Sequence, residues 1–165
     1  MIYVGIDNGV TGSVGWIDKV TGEYGMALTP TMERAGYQKK AKLVRVLDRE
    51  ALIELLGGLL GLSAVRVIME RPYTGPRRST EISAARFDEH CTEVLERLSI
   101  PYEYVDSRQW QSKCLPHGIS GSAKRKLFSL QIGSRMYPKV TDTINKRGDA
   151  DGMFLAHFGA YHLYA

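Results

Sequence analysis

The sequence predicts an α/β protein: a mixed sheet in which an antiparallel three-strand meander leads into parallel strands, with helices on its faces. Two observations carry this. Three apolar runs crowd the start of the chain, Ile2–Ile6, Ser13–Ile17 and Glu23–Thr29, joined by turns at Gly9–Gly12 and Lys19–Gly22, which is hairpin chemistry. A fourth run, Val65–Met69, follows a helical pattern, and a strand reached through a helix pairs in parallel with its predecessor. At 165 residues the chain suits one domain, residues 1–165, with a sizeable core.

The remaining elements follow in order. Pro30 to Val46 has no clear period and carries Arg34, Lys39, Lys40, Lys42 and Arg45, and is read as a basic loop. Asp48 can cap a helix over Arg49–Leu60, with Leu52, Leu55, Leu56 and Leu59 at helical spacing. Arg71 to Arg78 is a loop by its prolines and glycine. Ser79 or Thr80 then caps a long helix to about Leu98, striped by Ala84, Phe87, Cys91, Val94, Leu95 and Leu98. Tyr102–Val105 is a strand, and Ser107 or Gln109 opens a short helix holding Trp110, assigned with Phe128 to the core. Ala123–Met136 reads as an amphipathic helix, with Leu127, Leu130 and Ile132 inside and Lys124, Arg125 and Lys126 outside. Pro138–Gly148 reads as a linker, and Asp149 starts a final apolar helix through Tyr164.

Composition narrows the function classes. Hydrophobic content of 44% with 24% charged residues is ordinary for a globular protein. Cys91 and Cys114 are too few for a disulfide framework, which suggests a reducing cytosol. No signal segment or membrane span is expected, and the expected location is cytoplasmic. The net charge is only +4, but from Ser107 to Gly148 nine cations face a single anion, Asp142, leaving the remainder near −4. Such asymmetry points to a polyanion, and nucleic acid before all others; a merely solvated surface is the bland alternative.

The acids carry the chemistry. Ile2–Ile6 ends at Asp7 and Val65–Met69 ends at Glu70. A carboxylate at the end of a buried strand is costly without a cation opposite it. If the two strands pair in parallel, Asp7 and Glu70 lie side by side at the C-terminal edge of the sheet, where open α/β sheets place their sites. Asp149 and Asp151 follow the basic block. Carboxylates converging there need cations, and hard oxygen ligands suit Mg²⁺ or Mn²⁺. His90, His117, His157 and His162 have no metal-ligand spacing. Each acid has a plainer alternative: Glu70 can pair with Arg66 or Arg71, and Asp149 can cap the last helix.

The element order is that of a ribonuclease-H-like domain, and four markers sit at matching places. Ile-Asp7-Asn-Gly follows the first strand, and Met-Glu70-Arg-Pro-Tyr73 follows the fourth. Lys124-Arg125-Lys126 lies on a late helix, and Gly-Asp149-Ala-Asp151-Gly opens the last. In this the chain resembles the RuvC-type Holliday junction resolvases, above all their short phage-borne relatives, over nearly its whole length. It departs from them in spacing its two late acids two residues apart, where the family uses three or more.

The resemblance implies a metal-dependent endodeoxyribonuclease, a homodimer that resolves four-way DNA junctions by paired symmetric nicks. It needs no small-molecule cofactor and no membrane. Two Mg²⁺ ions, with Mn²⁺ able to substitute, would clamp the scissile phosphate. Asp7 would bridge them, with Glu70 and Asp151 each holding one and Asp149 as a further ligand. Lys124, Arg125 and Lys126, with Arg77 and Arg78, would meet phosphate, and Tyr73 would stack at the crossover. Ser83, Ala84 and Ala85 would let the long helix pack against its copy. Helical residues two apart point about 200° from each other. Asp149 and Asp151 can therefore share a site only if Asp149 precedes the first turn. The rival readings are a branched-DNA-binding module without catalysis and a ribonuclease H acting on RNA–DNA hybrids. An actin-like ATPase, which would need a second domain and phosphate loop, is excluded by length.

Overall fold

A computed structural model of the protein describes residues 1–36, 43–72 and 78–163, the side chains of Arg78 and Ser79 excepted. Strands β1 (Ile2–Ile6), β2 (Ser13–Asp18) and β3 (Tyr24–Leu28) form the expected meander. After helix α1 (Arg49–Leu60), strand β6 (Val65–Glu70) lies parallel to β1, with Ile6 opposite Met69. Strand β7 (Tyr102–Val105) extends the sheet in parallel, giving the order β3-β2-β1-β6-β7. The fold class is as the sequence predicts.

Apolar layers cover both faces. On one, α1 and α2 (Arg78–Arg97) bury Leu52, Leu56, Phe87, Cys91, Val94 and Leu95 against Val4, Ile6 and Val67. Asp48 caps α1 by accepting the Ala51 N–H at 3.1 Å, and the buried positions of α2 lie within its predicted stripe. On the other face lie α3 (Ser107–Cys114), α4 (Ser122–Met136), α5 (Thr141–Arg147) and α6 (Asp151–Phe158). There Trp110 is fully buried and stacks on Phe154, ring centroids 6.3 Å apart.

Helix α6 crosses directly over the backbones of β1 and β2. A Cβ on Gly5 would fall 2.2 Å from the Gly152 oxygen, and one on Gly15 would fall 2.6 Å from the Met153 nitrogen. Only glycine permits that approach, which sets the start of α6 against the end of β1.

Four expectations are corrected. Pro30–Val46 is not simply a loop: β4 (Thr31–Ala35) and β5 (Leu43–Leu47) pair antiparallel as a separate two-stranded sheet. Residues 37–42, including Lys39, Lys40 and Lys42, lie outside the described residues. Leu127 is 53% exposed rather than inside. The buried positions of α4 are Ser129 and Gly133, because a Cβ on Gly133 would meet Ala150 at 2.2 Å and this contact rotates the helix. Pro138–Gly148 is no linker but a 3₁₀ turn, Pro138–Val140, followed by α5; proline at the first position of a turn loses no hydrogen bond. The last helix begins at Asp151, not Asp149, and continues as a π-helical turn over Gly159–Leu163.

Candidate active site

The parallel register of β1 and β6 sets Asp7 beside Glu70, each one step beyond the paired residues Ile6 and Met69. Gly148 ends α5 in the left-handed region, φ 88°, and turns the chain so that Asp149 enters before α6. Asp149 therefore escapes the 200° divergence of two helical neighbours. Carboxylate oxygens of Asp7, Asp149 and Asp151 lie within 4.8 Å of one another. Asp149 is fully buried. Its Oδ1 accepts the Asp151 N–H at 3.4 Å, but it is not the cap residue, which is Ala150.

Glu70 is not one of those three, although the charges of Asp7 and Asp149 reach it. Its Oε2 accepts the indole N–H of Trp110 at 2.7 Å. The plainer alternative for Glu70, an ion pair with Arg66 or Arg71, is not what is seen: Arg66 pairs with Glu103 at 3.9 Å and Arg71 with Asp106 at 3.1 Å.

Side chains with no local sequence signal position these acids. Ser129, buried on α4, donates to Asp151 Oδ1 at 2.6 Å and accepts the Ala150 N–H at 2.9 Å. Ser13 Oγ accepts the Gly152 N–H at 3.3 Å. Arg147, the last residue of α5, donates from Nη2 to Asp7 Oδ2 at 2.9 Å and sets Nη1 3.1 Å from Asp149 Oδ2. Lys126 Nζ is 3.5 Å from the same Asp149 oxygen. In the sequence Arg147 is one cation of the basic block between Ser107 and Gly148, and its one local clue is its place two residues before Asp149.

Burial dominates the electrostatics. Desolvation pushes the carboxyl of Glu70 up to about 7, against the Trp110 hydrogen bond and with help from Asp7 and Asp149. It pushes Asp151 to about 7 as well, with the Asp149 and Asp7 charges adding to it. Asp7 is also raised by burial, although Arg147 opposes the rise. Such a cluster wants a cation.

Lys124, Arg125 and Lys126 are exposed along the start of α4, and Arg125 and Lys126 join Trp110, Gln111 and Ser122 around a cleft of about 110 Å³ beside Asp151. A cavity of about 270 Å³ lies between β5 and α2, and none of the described residues that line it is an acid. Tyr73 and Arg77 fall outside the described residues, as does the side chain of Arg78. Ser83 and Ala85 are exposed on α2 and Ala84 is half-buried. His157 is half-buried, its Nδ1 2.6 Å from the Tyr137 hydroxyl. Among the described residues, no helix is long and apolar enough to cross a membrane.

No protein-family model and no curated protein matches the chain. Solved structures do. RuvC of T. thermophilus in complex with a Holliday junction substrate is 13% identical, with 98% of this chain and 94% of that one covered at a TM-score of 0.60. A second structure of Thermus thermophilus RuvC is 14% identical, covering 97% and 98% at 0.50. Across nearly its full length, the chain has the RuvC-type, ribonuclease-H-like fold.

Proposed function

We infer that the protein is a divalent-metal-dependent endodeoxyribonuclease that nicks four-way DNA junctions. The observation that carries this reading is the carboxylate triad, Asp7, Asp149 and Asp151, at the C-terminal edge of the central strands of a RuvC-type fold. The basic start of α4 beside it supports a phosphate-bearing substrate, and the neighbour in complex with a Holliday junction substrate supports branched DNA as its class.

The residues fit a hard cation. Every donor is a carboxylate oxygen, and Asp149 Oδ2 is buried without a hydrogen bond and is met only by the charges of Arg147 and Lys126, a place that an ion would suit. Asp7, Asp149 and Asp151 would hold Mg²⁺ or Mn²⁺, with Glu70 on the neighbouring strand available to a second ion. Ions so held would supply charge neutralisation at the phosphate and an activated water. The protein supplies the rest. Trp110 and Ser129 keep Glu70 and Asp151 in fixed rotamers, α6 excludes water behind the triad, and Lys124 to Lys126 line the approach for phosphates. One domain working as a homodimer, two sites related by symmetry, would make paired nicks; light scattering with and without a junction tests this.

A second reading, a junction-binding module without catalysis, is favoured by one observation: Arg147 and Lys126 already pair with the acids. One assay separates the two. Synthetic four-way junctions are incubated with protein in Mg²⁺ or chelator, beside duplex DNA and RNA–DNA hybrid. Mg²⁺-dependent nicking confined to the junction supports the nuclease. Binding without nicking supports the module, and a cut specific to the hybrid would make the protein a ribonuclease H.

A further inference from the structure

We propose that Arg147 is the site's own counter-cation: it occupies the place of the metal ion in the ion-free protein and is displaced when the ion binds. The inference rests on the reading of the acids as a metal centre and concerns how that centre is loaded.

Three acids with oxygens within 4.8 Å of one another would repel if they faced each other alone. The guanidinium spans two of them, 2.9 Å from Asp7 Oδ2 and 3.1 Å from Asp149 Oδ2, and its side chain is only 14% exposed. Its remaining nitrogen, Nε, is buried without a hydrogen-bond partner. The planar fork therefore gains one hydrogen bond from Asp7, a close charge contact from Asp149 and nothing on the Nε side. Lys126, 56% exposed, reaches the same Asp149 oxygen at 3.5 Å and is free to withdraw into solvent.

Mg²⁺ takes carboxylate oxygens at about 2.1 Å. An ion held among these three acids would lie with the Asp7- and Asp149-bound guanidinium only a few ångströms away. Like charges at that range in a half-buried site repel strongly. The cation and the ion are thus alternatives. Arg147 is the final residue of the short helix α5, before a left-handed glycine, so its side chain can swing outward without disturbing Asp149. The exchange lets the acids fold and stay paired before any ion arrives, at the cost of weaker ion binding.

The experiment uses chelator-treated full-length protein and Mg²⁺ alone. Calorimetric titration compares wild type with Arg147→Met, which keeps the aliphatic bulk, and with the equally uncharged Arg147→Gln, read in the same way, should the first fail to fold. Separately, ¹⁵N–¹H spectra of the wild type follow the Arg147 Nε–H, assigned by its absence from Arg147→Lys. The proposal expects Mg²⁺ to bind Arg147→Met roughly tenfold tighter or more. It also expects saturating Mg²⁺ to move the Arg147 resonance toward those of exposed arginines. An Arg147 signal unmoved by saturating Mg²⁺, or no gain in affinity in Arg147→Met, would overturn it while leaving the metal centre intact. Absence of Mg²⁺ binding in both proteins would overturn the metal centre as well.

Discussion

Replacing Ser129 with alanine tests whether α4 orients the acids or merely covers them. The hydroxyl is buried and makes two bonds at once, donating to Asp151 Oδ1 at 2.6 Å and accepting the Ala150 N–H at 2.9 Å. Ser129→Ala removes one oxygen atom and no carbon, so packing changes little. The N–H of fully buried Ala150 would be left unpaired, worth about 1–3 kcal/mol, and Asp151 would lose a donor worth about 1.5–3 kcal/mol. Relaxation of Asp151 recovers part of this, so a net loss of about 2–4 kcal/mol is expected. Urea unfolding in chelator reads it as a lower midpoint at unchanged slope, and in thermal melts as roughly 2–4 °C per kcal/mol. Partners that orient metal ligands typically cost about 10- to 100-fold in affinity or activity when removed, so junction nicking should fall by that factor while junction binding holds. A midpoint shift worth under about 0.5 kcal/mol together with full nicking would refute the reasoning.

Two further outcomes follow from other parts of the molecule. Lys124→Ala combined with Lys126→Ala should weaken junction binding and flatten its dependence on salt by one to two phosphate contacts, a change of roughly one to two in the log–log slope; an unchanged slope would return both lysines to an ordinary solvated face. Burial, with His162 adding to it, holds His157 near 4 against an ordinary 6.5, while its Nδ1 faces the Tyr137 hydroxyl. A histidine whose folded value lies below its unfolded one binds more protons when unfolded, so its contribution is intact above pH 6.5 and is lost as pH falls toward 4. Melts from pH 7 to 4 should show wild type losing more stability than His157→Gln, and parallel curves would contradict the assignment.

Local pattern was enough wherever one face of an element meets the core. The continuous apolar run of β1, the capping aspartate at Asp48 and the helical spacing of the α2 stripe are all local signals. The parallel pairing that brings Asp7 beside Glu70 follows from the order strand, helix, strand. The hairpin β4–β5 has no such signal, because almost every residue of both strands is exposed or half-buried and only Leu47 is buried. Leu127 faces solvent, although an apolar residue commonly marks a helix's inner face, because close contact at Gly133 and a buried serine decide which side of α4 turns inward. Asp7 and Glu70 are visible because carboxylates end apolar runs, and Asp149 and Asp151 because they stand between a basic block and an apolar helix. Their partners are not: Trp110 meets Glu70 from 40 residues away, Ser129 meets Asp151 from 22, and Arg147 meets Asp7 from 140. Contacts that span so much chain leave no periodic trace, and each partner residue type is commonplace in its own surroundings.

The proposed role of the acids at the sheet edge is to perform cleavage and not to hold the DNA. It is tested most directly by measuring junction binding and Mg²⁺-dependent nicking side by side for wild type, Asp7→Asn and Glu70→Gln. Removing a negative charge beside a phosphate cannot weaken attraction to DNA, but it strips a metal ligand. Both variants should therefore lose nicking while binding the junction as tightly as wild type or more so. Nicking at the wild-type rate in either variant would contradict the claim.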